Sequence, residues 1–187
     1  MQIEVEIFTV NKRFPLTISR GTTAQTTNVW VKISDDGIEG WGEASPFSIG
    51  NYPQSTEIIK DALLKVAPAL QTYSPLQRQQ VEQILTTAKV ALDVAMHDWL
   101  GKRIGLPLWQ LWGLDRNAIA PTSVTIGINS TAGAKARVRD WLEFLDVRVF
   151  KIKLGSPEGI DADQKMLMAV REEAPTQELY VDANGGW

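Results

Sequence analysis

Apolar and polar residues alternate along the first part of the chain. Residues 2–10, QIEVEIFTV, place isoleucine and valine on one side of an extended chain and glutamate on the other, which is the period of a half-exposed strand. Residues 28–44 repeat this pattern on both sides of the turn signal DDG, and together they predict an antiparallel three-stranded meander. The GWG at 40–42 lacks the third glycine and the following helix of a phosphate-binding loop, so we interpret its glycines as strand glycines.

Polar stretches and helical periods follow these strands. Residues 19–27 and 45–56 are rich in serine, threonine, glycine and proline, and we interpret both as loops. From residue 54 the apolar positions recur with the period of a helix. Helices are predicted over residues 54–70, about 75–86, about 88–102 and 107–112, with Pro75 and Pro107 in first turns.

After residue 115, strands and helices alternate along the chain. Strands are predicted over residues 121–128, 147–155 and 178–187, and helices over residues 131–145 and 159–174. Alternation at this spacing predicts right-handed βαβ units and a parallel sheet. We therefore predict an α/β protein with two domains, an α+β domain over residues 1–115 and an α/β domain over residues 116–187.

The second of these domains is short for a parallel-sheet fold. It holds three strands and two helices, whereas an eight-stranded (β/α) barrel typically needs about 250 residues. A three-stranded parallel sheet leaves its last strand as an unpaired edge. We therefore expect the sequence to be a truncated part of a longer protein.

Composition limits the partners and the compartment. The content of 44% hydrophobic and 22% charged residues is enough for a globular core, and the net charge of −3 comes from interspersed residues of both signs. No basic stripe suggests nucleic acid, so we expect small-molecule partners. The chain start lacks a signal-peptide pattern, and no apolar run approaches the roughly 18 residues of a membrane helix, which predicts a cytoplasmic protein without membrane contacts.

Residue content also limits the chemistry. The chain has no cysteine and a single histidine, His97, which excludes thiolate nucleophiles, zinc–thiolate sites and the HExxH zinc motif. The helical surroundings of His97 favour a structural role at the surface or at the boundary of the core. Lysines and carboxylates are therefore the candidates for chemistry.

Two lysines interrupt an apolar strand at residues 149–155, VFKIKLG. Side chains two apart on a strand share a face and lie roughly 7 Å apart, so Lys151 and Lys153 point the same way. A like-charged neighbour and partial burial favour the neutral form of a lysine, so Lys153 is the candidate base and Lys151 the candidate group for a substrate carboxylate. The alternative is an ordinary edge strand with both lysines in solvent.

The following strand ends in VDANGGW, residues 181–187. Asp182 stands where the strand gives way to its loop, and a carboxylate there suits a hard cation such as Mg²⁺. The alternative is a plain turn signal. Together with Lys153, however, Asp182 would supply a base and a cation ligand on neighbouring strands, which is what abstraction of a proton α to a carboxylate requires.

These residues resemble the enolase superfamily, in its muconate-lactonising group, and most closely the dipeptide epimerases. The resemblance covers nearly the whole chain and rests on motifs in a fixed order. They are GWGEASP (40–46), ALDVAMHDWLGKRIGLPLWQLWG (91–113), TSVTIGINS (122–130), KIKLG (151–155) and VDANGGW (181–187). The resemblance implies an α+β capping domain followed by the first strands and helices of an incomplete, modified (β/α)₇β TIM-like barrel.

The resemblance also implies roles for individual residues. Lys153 matches the acid/base lysine of the second barrel strand and Lys151 its companion, while Asp182 matches the first of three acidic Mg²⁺ ligands. Thr125 matches a substrate-contacting threonine, although Ser123 stands where some epimerases carry an aspartate. Arg20 resembles an arginine that faces the distal carboxylate of Ala-Glu dipeptides, with a solvated loop arginine as the alternative.

The function that the resemblance implies is Mg²⁺-dependent epimerisation of a dipeptide of the L-Ala-D/L-Glu type, through an enediolate, by a homo-oligomer. The second lysine and the other two metal ligands would lie beyond residue 187, so the fragment alone is expected to be inactive. One alternative is a sister activity, o-succinylbenzoate synthase or muconate cycloisomerase. Another is a non-catalytic protein that keeps the fold for binding or assembly.

Overall fold

The fold is described from a computed structural model, which covers residues 1–47, 54–84 and 88–186. Part of the predicted loop at 45–56, the end of the helix predicted at 75–86 and Trp187 lie outside these residues. The chain forms two compact units. The first comprises Met1–Val10 and Thr26–Ala118, and the second comprises Asn11–Gln25 and the residues from Ile119 onward. The predicted division into domains at residue 115 stays a prediction.

The N-terminal strands form the predicted meander. Strands β1 (Gln2–Ile18), β2 (Gly21–Asp35) and β3 (Ile38–Ala44) make a sheet of order β1-β2-β3, with β2 and β3 antiparallel. The prediction of a loop at 19–27 is wrong, because the chain turns at residues 19–20 and β2 begins at once. Threonine is β-branched and suits a strand, and the Oγ1 atoms of Thr17 and Thr22 lie 2.8 Å apart across the hairpin.

Helices follow the sheet along the first unit. They are α1 (Thr56–Leu70), α2 (Arg78–Ile84), α3 (Lys89–Ile104), α4 (Leu108–Leu111) and a 3₁₀ turn at Arg116–Ala118. The prediction that Pro75 lies in a helical first turn is wrong. A turn precedes α2, in which Gln77 Oε1 accepts the Ser74 N–H at 3.0 Å and the Gln77 carbonyl accepts the N–H of Val81. Pro107 directly precedes α4.

Helix α3 packs directly on the backbone of β3. A Cβ added at Gly40 would lie 2.1 Å from the Ala95 carbonyl oxygen, and one added at Gly42 would lie 1.8 Å from that of Ala91. Gly40 and Gly42 are strand glycines, as predicted for the GWG segment, and they allow close contact between a helix and a sheet, which the sequence did not predict. The core around this contact includes Val29, Val31, Ile33, Ile59, Leu63, Leu92, Met96 and Trp99.

The second unit has the predicted alternation of strands and helices. Its elements are β4 (Ser123–Ile126), α5 (Thr131–Phe144), β5 (Val149–Lys153), α6 (Ile160–Glu173) and β6 (Glu178–Asp182). The three strands are parallel, in the order β4-β5-β6. One face of the sheet buries Val124, Ile126, Phe150, Ile152 and Leu154 against Ala134, Val138, Met166 and Val170. Across the described residues, no helix is long and apolar enough to cross a membrane.

Candidate active site

The register of the parallel sheet aligns the polar side chains of its second face. Thr125 on β4 pairs with Lys151 on β5, which pairs with Tyr180 on β6. One step further along, Lys153 pairs with Asp182. Because side chains alternate along each strand, burial of Phe150 and Ile152 in the core places the lysines on the opposite face. The interpretation of VFKIK as a two-sided strand is confirmed.

Both lysines converge on one oxygen atom at the C-terminal ends of β5 and β6. The Nζ atoms of Lys151 and Lys153 lie 2.8 and 2.9 Å from Asp182 Oδ2. The Lys153 side chain is 11% exposed and that of Lys151 is 38% exposed. Neither lysine therefore stands alone in solvent, and the more buried one is the candidate base.

The Asp182 carboxyl group is ionised by its surroundings. Hydrogen bonds from the ammonium groups of Lys151 and Lys153 hold the pKa of Asp182 well below its usual range, and the backbone N–H of Asn184 acts in the same direction. That N–H donates to Asp182 Oδ1 at 2.9 Å. Favourable bonds to the charged form stabilise it over the neutral acid, so Asp182 carries its negative charge across the physiological pH range.

Two further predicted residues occupy the same unit. Arg20 lies at the hairpin turn between β1 and β2, and its Nη1 donates to the Asn184 carbonyl at 3.0 Å. The guanidinium group is thus near the loop that follows Asp182. Thr125 lies beside Lys151 across the sheet. The roles of Arg20, Thr125, Lys151, Lys153 and Asp182 in catalysis or binding stay predictions.

Sequence reasoning missed one buried carboxylate near this cluster. Asp163, in the first turn of α6, is 2% exposed, and its Oδ2 accepts the N–H of Gly155 at 2.8 Å. The Ser156 N–H donates to the same carboxylate, at 3.1 Å to Oδ1 and 3.3 Å to Oδ2. The sequence signal was an aspartate in the first turn of the helix that follows the loop between Gly155 and Gly159. The hydrogen-bond partners of this aspartate depend on how the loop folds.

The donor set at Asp182 suits a hard cation only in part. A carboxylate oxygen is a ligand that Mg²⁺ prefers, and Mg²⁺ commonly takes one or two carboxylates together with water and substrate oxygens. Within the described residues, no group of three or more histidine, cysteine, aspartate or glutamate side chains comes together as a metal site. Asp182 therefore fits as one ligand among several.

Comparison with known proteins identifies the family of the chain. Residues 2–113 match the model of the mandelate racemase / muconate lactonizing enzyme N-terminal domain. The chain belongs to that family. This confirms the resemblance to the enolase superfamily that the motifs indicated.

Known family members match both units. A hydrophobic dipeptide epimerase of Flavobacteria bacterium (strain MS024-2A) is 44% identical over 96% of this chain and 52% of its own length. The substrate-liganded L-Ala-D/L-Glu epimerase from Bacillus subtilis has a TM-score of 0.86 and 28% identity, over all of this chain and 54% of that one. The Enterococcus faecalis dipeptide epimerase complexed with Mg and L-Leu-L-Tyr has a TM-score of 0.87 and 26% identity, with the same coverage.

These matches confirm the predicted fold class, a capping region followed by the first strands and helices of a barrel. The chain spans about half the length of the curated relatives that it matches. Activity, substrates and partners are therefore inferences about the whole protein.

Proposed function

We propose that the chain belongs to an enzyme that epimerises dipeptides by removing and returning the proton on a carbon α to a carboxylate. The observation that carries the proposal is the convergence of Lys151 and Lys153 on Asp182 at the C-terminal ends of adjacent parallel strands. Chemistry in barrel folds is built at these strand ends. Similarity to dipeptide epimerases, at 44% identity, supports the same reaction class.

Lys153 is the proposed base on one face of the substrate. Its unprotonated Nζ would take the α-proton, forming an N–H bond, while the C–H electron pair stays on the substrate and spreads into its carboxylate. Lys151 is the more exposed lysine, and its ammonium group would hold that carboxylate. Epimerisation requires a proton to return on the opposite face, which a second base must supply. The resemblance assigns that base to a lysine beyond residue 187.

Mg²⁺ is the proposed cofactor, with Asp182 as one of its ligands. When bound, the cation would supply positive charge that stabilises the negative charge developing on the substrate carboxylate. The Mg complex of the Enterococcus faecalis relative supports this choice. Asp182 suits the role because it is ionised and its side chain is 27% exposed, within reach of solvent.

The substrate side chain is the finer part of the proposal. Arg20 presents a guanidinium group beside the Asn184 carbonyl, and its planar fork could bind a distal carboxylate in two places. This favours dipeptides of the L-Ala-D/L-Glu type. A second candidate is a dipeptide with hydrophobic side chains, favoured by the 44% identity to a hydrophobic dipeptide epimerase.

A panel experiment tests the proposed reaction. The protein, as its gene encodes it, is incubated with Mg²⁺ and each of a set of L,L-dipeptides in D₂O, and ¹H NMR follows loss of the α-proton signal and appearance of the epimer. The set contains acidic and hydrophobic C-terminal residues. Exchange with an Ala-Glu dipeptide is expected, while exchange with hydrophobic dipeptides alone would select the second candidate.

Two other functions are tested by giving the same protein the substrates of o-succinylbenzoate synthase and of muconate cycloisomerase in separate reactions. Formation of o-succinylbenzoate or of a muconolactone there, without exchange in the dipeptide reactions, would identify a sister activity. No turnover of any of these substrates would leave the non-catalytic alternative and end the epimerase proposal. The cytoplasmic location and the homo-oligomeric state also remain predictions for the whole protein.

A further inference from the structure

We infer that Asp163 is a positioning residue, which fixes Lys153 and Asp182 relative to each other through the turn that follows β5. This inference rests on the proposed function, because it assigns Asp163 a part in that reaction. Asp163 lies three residues after Ile160, the first residue of α6, and its carboxylate accepts backbone N–H groups of that turn. Its effect is carried by the backbone of Gly155 and Ser156.

Because it is buried, the Asp163 carboxylate must accept hydrogen bonds from protein groups, and the backbone of this turn supplies them. A carboxylate that is 98% buried is costly unless it accepts hydrogen bonds. Asp163 accepts N–H groups from Gly155 and Ser156 at 2.8 to 3.3 Å. Its place in the first turn of α6 adds the favourable helix dipole. Helix α6 thereby holds the chain immediately after Lys153.

The same turn also contacts the loop that follows Asp182. Leu154 donates its N–H to the Asp182 carbonyl at 3.1 Å. Gly155 has a φ of +87°, and a Cβ on it would lie 2.9 Å from both the Ala183 carbonyl oxygen and the Gly186 Cα. The Asp163 carboxylate thus supports a turn that touches both catalytic segments. Displacement of this turn would change the position of Lys153 relative to Asp182.

The two-oxygen geometry explains why a carboxylate is needed. Oδ2 accepts from both Gly155 and Ser156, and Oδ1 accepts from Ser156. Asparagine keeps the shape but replaces one oxygen with an NH₂ donor. In Asp163→Asn, that donor would face a backbone N–H, or the amide would have to rotate away. Either change loosens the turn while the surrounding apolar packing stays the same.

The test compares Asp163→Asn with Asp161→Asn in the whole protein, expressed from the complete gene. Asp161 is exposed and lies in the same first turn, so it controls for the loss of one charge near the helix dipole. We expect Asp163→Asn to lower kcat about 10–100-fold, as loss of a supporting hydrogen-bond partner commonly does, with little change in KM. Asp161→Asn should stay close to wild type.

One readout separates positioning from general destabilisation. Because Lys153 serves one face of the substrate, Asp163→Asn should slow α-proton exchange in D₂O more for one epimer than for the other. A purely structural role would slow both epimers equally, through a smaller folded fraction, and that result would overturn the inference. If Asp163→Asn does not fold, Asp163→Glu, which keeps both oxygens but displaces them by one methylene, is expected to show the same asymmetry.

Backbone hydrogen exchange distinguishes failure of this inference from failure of the proposed function. If the wild-type protein turns over no dipeptide, the function fails independently of Asp163. Protection of the Gly155 and Ser156 amides against exchange then still reports on the anchor, that is, on the hydrogen bonds from these amides to the Asp163 carboxylate. Protection lost in Asp163→Asn and retained in Asp161→Asn supports the anchor, and equal protection in all three proteins overturns it.

Discussion

At the scale of single residues, one oxygen atom of Asp182 pairs with the ammonium groups of two lysines. Ion pairs in solvent contribute little, but the Lys153 side chain is mostly buried and its ammonium group needs a partner. The backbone N–H of Asn184 orients the other carboxylate oxygen. Three groups therefore hold the Asp182 carboxylate, namely the two lysine ammonium groups and the Asn184 N–H. Removal of the Asp182 side chain would leave the two positive charges facing each other.

Asp182→Asn tests the metal role at this scale. The neutral amide loses the charge that attracts a divalent cation, so Mg²⁺ affinity should fall by at least the roughly 10–100-fold that follows loss of an outer-shell partner. Isothermal titration calorimetry with MgCl₂ on the protein as its gene encodes it gives the measurement. Glu178→Gln removes an exposed carboxylate from the other end of the same strand and should leave the affinity unchanged. Equal Mg²⁺ affinity in Asp182→Asn and wild type would remove Asp182 from the ligands.

The lysine pair and a carboxylate on the neighbouring strand could be predicted from the sequence, but the ion pairs of both lysines with one Asp182 oxygen could not. The period of two places Lys151 and Lys153 on one face whatever the rest of the chain does. Contact of both with Asp182 depends on the register of β6 against β5, which no local pattern specifies. The part played by Asp163 was missed for a related reason, since its partners are backbone groups of a turn with a left-handed glycine.

At the scale of elements, the contact between α3 and β3 organises the first unit. The helix lies against strand backbone at Gly40 and Gly42, with no room for a side chain between them. Helix α3 also protects the strand edge, because Asp98 Oδ2 accepts the Trp41 N–H at 2.8 Å and Lys102 Nζ donates to the Glu39 carbonyl at 3.0 Å. Unpaired strand edges otherwise invite association.

Gly42→Ala tests this close packing. Its Cβ would overlap the Ala91 carbonyl oxygen, which belongs to helix backbone and cannot rotate away, so the free energy of unfolding should fall by about 1–3 kcal/mol or more. Urea denaturation followed by tryptophan fluorescence measures the change. Glu39→Ala, on the exposed side of the same strand, should change it by less than about 0.5 kcal/mol. Wild-type stability in Gly42→Ala would show that the helix does not lie on the strand.

Helices and strands could be predicted correctly where a hydrophobic period extends over many residues. Errors arose where the prediction rested on residue composition alone. The helices and the parallel strands follow their patterns closely. The polar composition of residues 19–27 predicts a loop, yet strand β2 begins at Gly21, and Thr22 and Thr27 contact threonines across the hairpin. Pro75 suggested a helix start, but side-chain and backbone bonds of Gln77 place the start at Arg78.

At the scale of the whole molecule, the chain comprises a capping region and the first strands and helices of a parallel-sheet barrel. The described residues supply one candidate base, one candidate lysine for substrate binding and one candidate metal-ligating carboxylate. Epimerisation needs a second base on the other face. The family and fold class could be recognised from ordered motifs, whereas the substrate depends on side chains that the motifs do not include.

The most direct test of the account is one-sided proton exchange by Lys153→Ala, measured by ¹H NMR in D₂O on separate L,L and L,D epimers of an accepted dipeptide. Lys135→Ala serves as the control, since Lys135 pairs with Glu172 on the helical surface. We expect Lys153→Ala to lose epimerisation and to lose α-proton exchange from one epimer, while the other epimer still exchanges through the second base. Exchange of both epimers at wild-type rates in Lys153→Ala would contradict it.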